Sequence, residues 1–187
     1  AMEVGANLWH MTNYESAGVF GPKSSGSMYL FDLTRIVSQG AAICVGPDGT
    51  RFLREVEHPV DMRHGHVYLA GDWLFPAFPE YSYSIFDEAK VELFASAAPM
   101  DGFLEEALKS GVVIKADTWE ELAEKTGMTF LPETIKLYNS YCENGFDEAF
   151  RRDPQTLIPF LDEGPYYASE LTTHMILNTQ GGPQRNE

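Results

Sequence analysis

The side chains able to do chemistry lie in a few short stretches. Residues 56–66, Val-Glu-His-Pro-Val-Asp-Met-Arg-His-Gly-His, hold His58, His64 and His66 beside Asp61 and Arg63, three of the five histidines in the chain. A His-x-His pair with a nearby carboxylate can ligate zinc. Pro59 and Gly65 interrupt the stretch and no scaffold is evident, so the other reading is a polar loop over the core. The site taken forward contains no metal. Arg51-Phe52-Leu53-Arg54-Glu55 brackets an aromatic ring with charges of opposite sign, the pattern of a surface ion pair on an edge hairpin or of a functional motif. Gly21-Pro22-Lys23-Ser24 lacks the spacing of a phosphate loop, whose lysine directly follows the last glycine of a longer loop. Near the end, Asn178-Thr179-Gln180-Gly181-Gly182 places adjacent glycines where backbone can approach a cofactor closely, or makes a plain turn. Cys44 and Cys142 are too far apart in sequence to read as a metal knuckle or disulfide framework; buried free thiols are expected.

Composition limits the partners. A chain of 187 residues can bury roughly 70% of its unfolded surface as one domain. Hydrophobic residues make up 44% and charged residues 22%, an ordinary globular balance. The formal net charge is −15, and only 13 lysines and arginines are available to displace counterions. Nucleic acid and anionic membrane surfaces are therefore disfavoured as partners. No apolar run is long enough to span a bilayer. The cellular compartment stays open.

These residues need elements to position them. Residues 42–55 read as a β-hairpin: Ile43-Cys44-Val45 as one strand, Gly46-Pro47-Asp48-Gly49 as the turn, and Thr50–Glu55 as the return strand. Alternation places Phe52 on one face and Arg51 and Leu53 on the other. Residues 2–14 read as the end of a helix, 18–27 as a loop, and 28–33 and 35–38 as strands. The aromatic, proline-rich stretch 68–80 reads as a loop over a cleft. Tyr81–Phe86 alternates as a strand, Asp87 is the N-cap of a helix over 89–98, and 104–109 belongs to another helix. Val112–Ala116 is a strand. The next helix has capping-box spacing in Thr118 and Glu121 and ends at Gly127. Pro132 opens a further helix, lined by Ile135, Tyr138, Tyr141 and Cys142, that Asn144-Gly145 stops. Gly164-Pro165-Tyr166-Tyr167 enters a strand. The expected class is α+β, with a small mixed or antiparallel sheet and several helices.

Four of these stretches, in order, resemble the capping domain of FAD-dependent flavoproteins of the fumarate reductase/succinate dehydrogenase superfamily. Asp48-Gly49-Thr50-Arg51-Phe52-Leu53-Arg54-Glu55 is similar to the family's Gly-Lys-Arg-Phe-x-Asn-Glu hairpin, with Thr for Lys and Arg for Asn. Asp117-Thr118-Trp119-Glu120-Glu121-Leu122-Ala123, followed by Thr134, Tyr138-Asn139 and Asn144-Gly145-Phe146-Asp147 up to Phe150, resembles its paired helices. The Gly164–Leu171 strand entry and the Thr179-Gln180-Gly181-Gly182 segment resemble its later landmarks, and Gly5-Ala6-Asn7-Leu8 the helix by which the chain leaves the FAD domain.

The resemblance implies a single capping domain over 1–187, with 1–14 and 178–187 as junctions to an FAD-binding domain not contained in this chain. It implies an oxidoreductase acting on an activated C–C or C=C bond. FAD would be held by the parent and not by this chain alone. Arg63 is implied as the substrate-binding and proton-donating residue. Asn178, Thr179 and His64 are implied at the substrate, and Gly181 and Gly182 at the cofactor. Arg51 is expected to be structural, bracing the hairpin with Glu55, and the paired helices to be scaffold. Histidines that bind fumarate carboxylates in that subgroup are replaced in the Tyr14–Gly18 region and at Asn178, so the expected substrate is not fumarate, and the aromatic segment 73–83 suggests a larger or more apolar organic acid or enone. His10 is expected on a helix surface or between domains. A ketosteroid-type dehydrogenase is an alternative of the same class. A non-catalytic acidic interaction module is an alternative of a different class.

Overall fold

The computed structural model describes residues 3, 5, 7–9, 14–20, 29–30, 42–52, 54–55, 67–69, 72–74, 79, 81–97, 103–179 and 182–184. At its centre are β4 (Ile43–Val45), β7 (Ser82–Asp87), β9 (Tyr166–Thr179) and β8 (Val113–Ala116), hydrogen-bonded in that order and all antiparallel. Ile43 faces Ile85, which faces Ala168, which faces Ile114.

Alternation sends two sets of side chains to two covered faces. On one, Ile43, Val45, Ile85, Tyr166 and Ala168 pack with Leu122, Met128, Leu131, Ile135 and Tyr138. These last come from α3 (Trp119–Thr126), α4 (Leu131–Asn144) and the turn between them. On the other, Ala42, Cys44, Phe86, Val113 and Tyr167 pack with Val91, Leu93, Leu104, Ala107 and Leu108. Those belong to α1 (Glu88–Ala97) and α2 (Phe103–Ser110). Burial on both faces explains why Tyr83–Asp87 is buried without interruption. The α+β class expected from the sequence holds.

Beyond the core, β9 continues as an arm. Its residues from Leu171 to Thr179 pair with β2 (Tyr14–Phe20), with register shifts at Glu15/Ser16 and Ala17/Val19. β2 in turn pairs β3 (Tyr29–Leu30). Past the arm, β1 (Leu8–Trp9) pairs β10 (Gly182–Pro183), Leu8 opposite Pro183 and Trp9 opposite Gly182. Gln184 N–H donates to the Asn7 carbonyl at 2.9 Å.

The helix boundaries follow the sequence signals. Asp87 Oδ1 accepts the Lys90 amide at 3.1 Å as the N-cap of α1. Thr118 Oγ1 accepts the Glu121 amide at 3.1 Å, and the Glu121 carboxylate accepts the Asp117 amide at 2.9 Å. Gly127 and Gly145 end α3 and α4 with φ of 78° and 67°, the left-handed conformation that glycine adopts without strain.

Four expectations fail. Among the described residues of 2–14, Leu8–Trp9 and Tyr14 lie in strands rather than a helix, with partners at 182–183 and 179. Residues 18–20 are the end of β2, not the start of a loop. Within 68–80, β5 (Val67–Leu69) and β6 (Asp72–Leu74) form a two-stranded ribbon, Tyr68 opposite Trp73. Valine and aromatic residues suit such a pleated surface. Thr50–Glu55 is not a return strand; its sole ladder contact among the described residues is the single bridge Val45–Arg51. Of the expected strands at 28–33 and 35–38, Tyr29–Leu30 is found and the rest lies outside the described residues.

Candidate functional site

The physical reason for the aborted hairpin defines the chemistry at its end. In an antiparallel strand, alternate residues present N–H and C=O to one edge. On the outer edge of β4 these are Ala42, Cys44 and Gly46. Gly46 N–H reaches the Thr50 carbonyl at 2.8 Å, an ordinary hairpin bond. Cys44 N–H instead donates to Glu55 Oε1 at 3.2 Å, and the Ala42 carbonyl accepts from Arg152 Nη1 at 3.1 Å. A carboxylate and a guanidinium stand where a return strand would stand.

Glu55 is 1% exposed. Arg51 grips it with Nε at 2.7 Å and Nη2 at 2.5 Å, the two-pronged geometry that suits guanidinium to carboxylate. The same Nη2 donates to Asp147 Oδ2 at 2.9 Å. Arg152 Nη1 lies 3.5 Å from Glu55 Oε2, and its Nε donates to Thr156 Oγ1 at 3.2 Å. Arg51 lies 4.9 Å over the Phe150 ring and 5.3 Å over Tyr138, and Arg152 lies 5.7 Å over Tyr138. The ion pair that the sequence suggests at a surface is therefore buried, and it is part of a cluster of two arginines and two carboxylates. Burial opposes the charge on Arg51, but Glu55 and Asp147 outweigh it and raise its pKa. Burial likewise acts to raise the Asp147 pKa, yet the Arg51 guanidinium and the Phe150 and Arg152 amides hold it below the usual carboxylate range.

The turn before the cluster is docked by its backbone. Asp48 Oδ1 accepts from Thr50 N–H at 2.9 Å and Thr50 Oγ1 at 2.7 Å, while the Asp48 carbonyl accepts the Phe130 amide at 2.9 Å. Gly49 has φ of 90°, and a Cβ there would lie 2.7 Å from the Leu131 nitrogen. Phe52 leaves toward the α1–α2 layer while Arg51 packs beneath α4, the opposite faces that alternation predicts.

A second buried pair braces the other side of the core. Lys90 Nζ contacts Asp87 Oδ2 at 3.0 Å and the Pro159 carbonyl at 2.9 Å, and Asp87 Oδ2 also accepts the Leu161 amide at 2.9 Å. Burial lowers the Lys90 pKa despite Asp87. Burial pushes the thiols of Cys44 and Cys142 above their ordinary values, so neither is an activated nucleophile.

Arg63, His64 and Gly181 lie outside the described residues, as do His10, His58 and His66. Among the described residues, no group of three or more His, Cys, Asp or Glu could hold a metal. Asn178 and Thr179 close β9, opposite Glu15 and Tyr14, and Gly182 opens β10 opposite Trp9. Asp147 is visible in the sequence as part of a turn motif, but its role as the second anchor of Arg51 is not. Arg152 is missed altogether; the one signal for it is a tandem arginine, Arg151-Arg152, in an otherwise acidic chain.

No family model matches the chain. It is 31% identical over 172 residues to a 3-oxosteroid 1-dehydrogenase of Mycolicibacterium smegmatis, covering 81% of this chain and 30% of that protein. It is 31% identical over 153 residues to the NADH:fumarate oxidoreductase of Klebsiella pneumoniae, covering 80% of this chain and 15% of that protein. A flavocytochrome c3 fumarate reductase in its open conformation matches 97% of the chain and 28% of its own length, with a TM-score of 0.60 and 28% identity. These relatives and structural neighbours are FAD-dependent flavoprotein oxidoreductases, and the fraction of each that the chain matches is consistent with a capping-domain fragment.

The cap spans 30% or less of each of these proteins. Helix N-termini are the usual anion sites, and here every described α-helix carries an acidic first turn: Glu88, Glu105 with Glu106, Glu120 with Glu121, and Glu133. A diphosphate at any of them would meet like charge.

Proposed function

We propose that this cap forms the substrate-side wall of a FAD-dependent oxidoreductase acting on an activated C–C or C=C bond of a substrate other than fumarate. The observation that carries the reading is the pairing of β1 with β10 just outside the β2–β9 arm. The chain enters and leaves the cap side by side, an arrangement that suits a domain inserted into a larger one. Residues 1–14 and 178–187 are then the junctions with the FAD-binding domain, which is the cap's main partner. FAD held by that domain supplies the redox chemistry. This chain's residues bind and orient substrate and exclude water.

In this reading Arg63 binds an anionic or carbonyl oxygen of the substrate and delivers a proton to carbon. His64, Asn178 and Thr179 complete the substrate wall, and Gly181 and Gly182 let backbone approach the flavin. The ketosteroid-named and fumarate-named relatives match this same segment, so the reading names a reaction class and not a compound.

The intact parent tests it. It should purify yellow, with flavin absorbance, and Arg63→Lys should keep its FAD content while slowing substrate-dependent flavin reoxidation at least ~100-fold, the lower range of general-acid effects. A colourless parent that holds no FAD sinks the oxidoreductase reading. Normal turnover by Arg63→Lys sinks the residue assignment alone.

A further inference from the structure

α4 buries Leu131, Ile135 and Tyr138 against the sheet. About a quarter-turn round the helix, Phe130, Thr134, Leu137 and Tyr141 make a second row that holds no charge. Phe130 is 53% exposed and Leu137 52%, and Phe146, just past the helix, is 42% exposed. Single exposed apolar residues are ordinary, but a row of them along one helix flank marks an interaction surface.

The row runs between two turns of unlike charge. At its start, the Asp48 carbonyl accepts the Phe130 amide, and Asp48 and Glu133 are exposed there. At its end, Asp147 Oδ1 accepts the Ala149 and Phe150 amides at 3.1 Å each, and the Asp147 carbonyl accepts the Arg151 amide at 3.0 Å. Arg51, which follows the first turn, bonds Asp147 of the second, so both turns lie on one flank of α4. Burial, then Asp147 and Glu148, raise the Tyr141 pKa, which places Tyr141 on that flank as well. Arg151 is exposed, with φ of 58° and its guanidinium 4.5 Å over the Phe146 ring. Lys109 and Lys125 have Glu105 and Glu121 beside them; Arg151 has no such partner among the described residues.

We propose that this flank is a self-association surface, on which α4 of one chain packs antiparallel against α4 of a second copy across a two-fold axis at Leu137. A two-fold contact needs a surface complementary to itself. Here Leu137 meets its own copy at the axis. Phe130 and Phe146 lie at comparable distances on either side of it, so each meets the other across the axis. The same operation brings the free guanidinium of Arg151 onto Asp48 and Glu133 of the second copy. Aromatic rings and an arginine around an apolar centre are the composition of an interface core. The helix has 14 residues, roughly 21 Å of length, so the contact is at the small end of specific interfaces and the dimer is a weak, reversible one. The formal charge of −15 on each copy opposes association at long range, and salt screens that repulsion.

Sedimentation velocity of the parent protein, from micromolar to sub-millimolar concentration at physiological salt, tests this. A reversible monomer–dimer equilibrium is expected. Leu137→Glu changes an exposed site, so the melting temperature should hold while the dimer Kd rises at least ~30-fold, the range of an interface hot spot. Arg151→Glu and Glu133→Arg should each weaken the dimer, and the two together should restore it, because the exchange rebuilds the pair across the axis. A parent that stays monomeric overturns the proposal, and that is the result expected if another of its domains covers α4. A dimer that Leu137→Glu leaves intact overturns it, and so does a charge exchange that restores nothing.

Discussion

Arg51 shows how much one side chain can carry. Its Nε and Nη2 satisfy Glu55, its Nη2 reaches Asp147, and its plane covers Phe150. Removing it leaves two buried carboxylates without their main partner. Arg51→Met should cost about 3–5 kcal/mol, the penalty for breaking a buried pair from one side, read as a fall in the urea midpoint. Arg51→Lys should lower the melting temperature less, because lysine keeps the charge but not the fork. Acid acts on the same cluster through Asp147. Its folded pKa is below its ordinary value, so its contribution is present above the unfolded pKa of about 3.9 and disappears as pH falls through the folded value. Melting temperature against pH should therefore drop below about pH 4, and Asp147→Asn should flatten part of that drop. A variant as acid-sensitive as the wild type would exclude Asp147 as the source.

At the scale of elements, caps and edges do most of the specifying. Thr118→Ala removes the acceptor for the Glu121 amide and should cost about 1 kcal/mol. Gly127 and Gly49 both have positive φ, but nothing lies within 4 Å of a Cβ at Gly127, whereas at Gly49 the Leu131 backbone is in the way. Gly127→Ala should therefore cost about 1–2 kcal/mol, from backbone strain alone. Gly49→Ala should cost clearly more, because the turn must also lift off α4. Equal losses for the two would show that the turn is not docked on α4. Side chains also close the sheet edges. Lys125 Nζ caps the Lys115 carbonyl of β8 at 2.8 Å, and Glu55 with Arg152 caps β4. Unpaired strand edges invite pairing with other chains, and charged groups placed on them suppress it.

At the scale of the whole molecule, residues 7–9 and 182–184 lie side by side. Gln184 bonds Asn7, so the next pair, Leu8 and Pro183, is of the non-hydrogen-bonded kind, which suits a proline without an N–H. Opposed Cα atoms in such pairs lie about 4.5 Å apart, within the span of a disulfide. Leu8→Cys with Pro183→Cys should cross-link under mild oxidation, both in the isolated chain and in the parent; failure in both would remove the β1–β10 ribbon. The isolated chain should also fold without holding FAD, since its helix N-termini carry carboxylates. Sub-micromolar FAD binding in equilibrium dialysis would contradict this.

Local chemistry settled what local chemistry can. The Gly46–Gly49 turn, the Thr118 and Asp87 caps, the Gly127 and Gly145 stops, and the strands at 82–87 and 113–116 were all legible, because each depends on residues within a few positions. The resemblance of those same stretches, taken in order, carried the likeness to FAD-dependent flavoproteins. What could not be read were contacts between distant parts of the chain. Leu8–Trp9 is a strand because residues 182–183 lie beside it, and nothing in residues 2–14 announces that. Where a return strand would bond the edge of β4, Arg152, distant in sequence, donates to the Ala42 carbonyl and Glu55 accepts the Cys44 amide. Opposite charges four residues apart look alike on a surface and in a core, since sequence spacing does not determine burial. Only the tertiary structure, by placing α4 and the segment after it over the turn, made this pair a buried anchor.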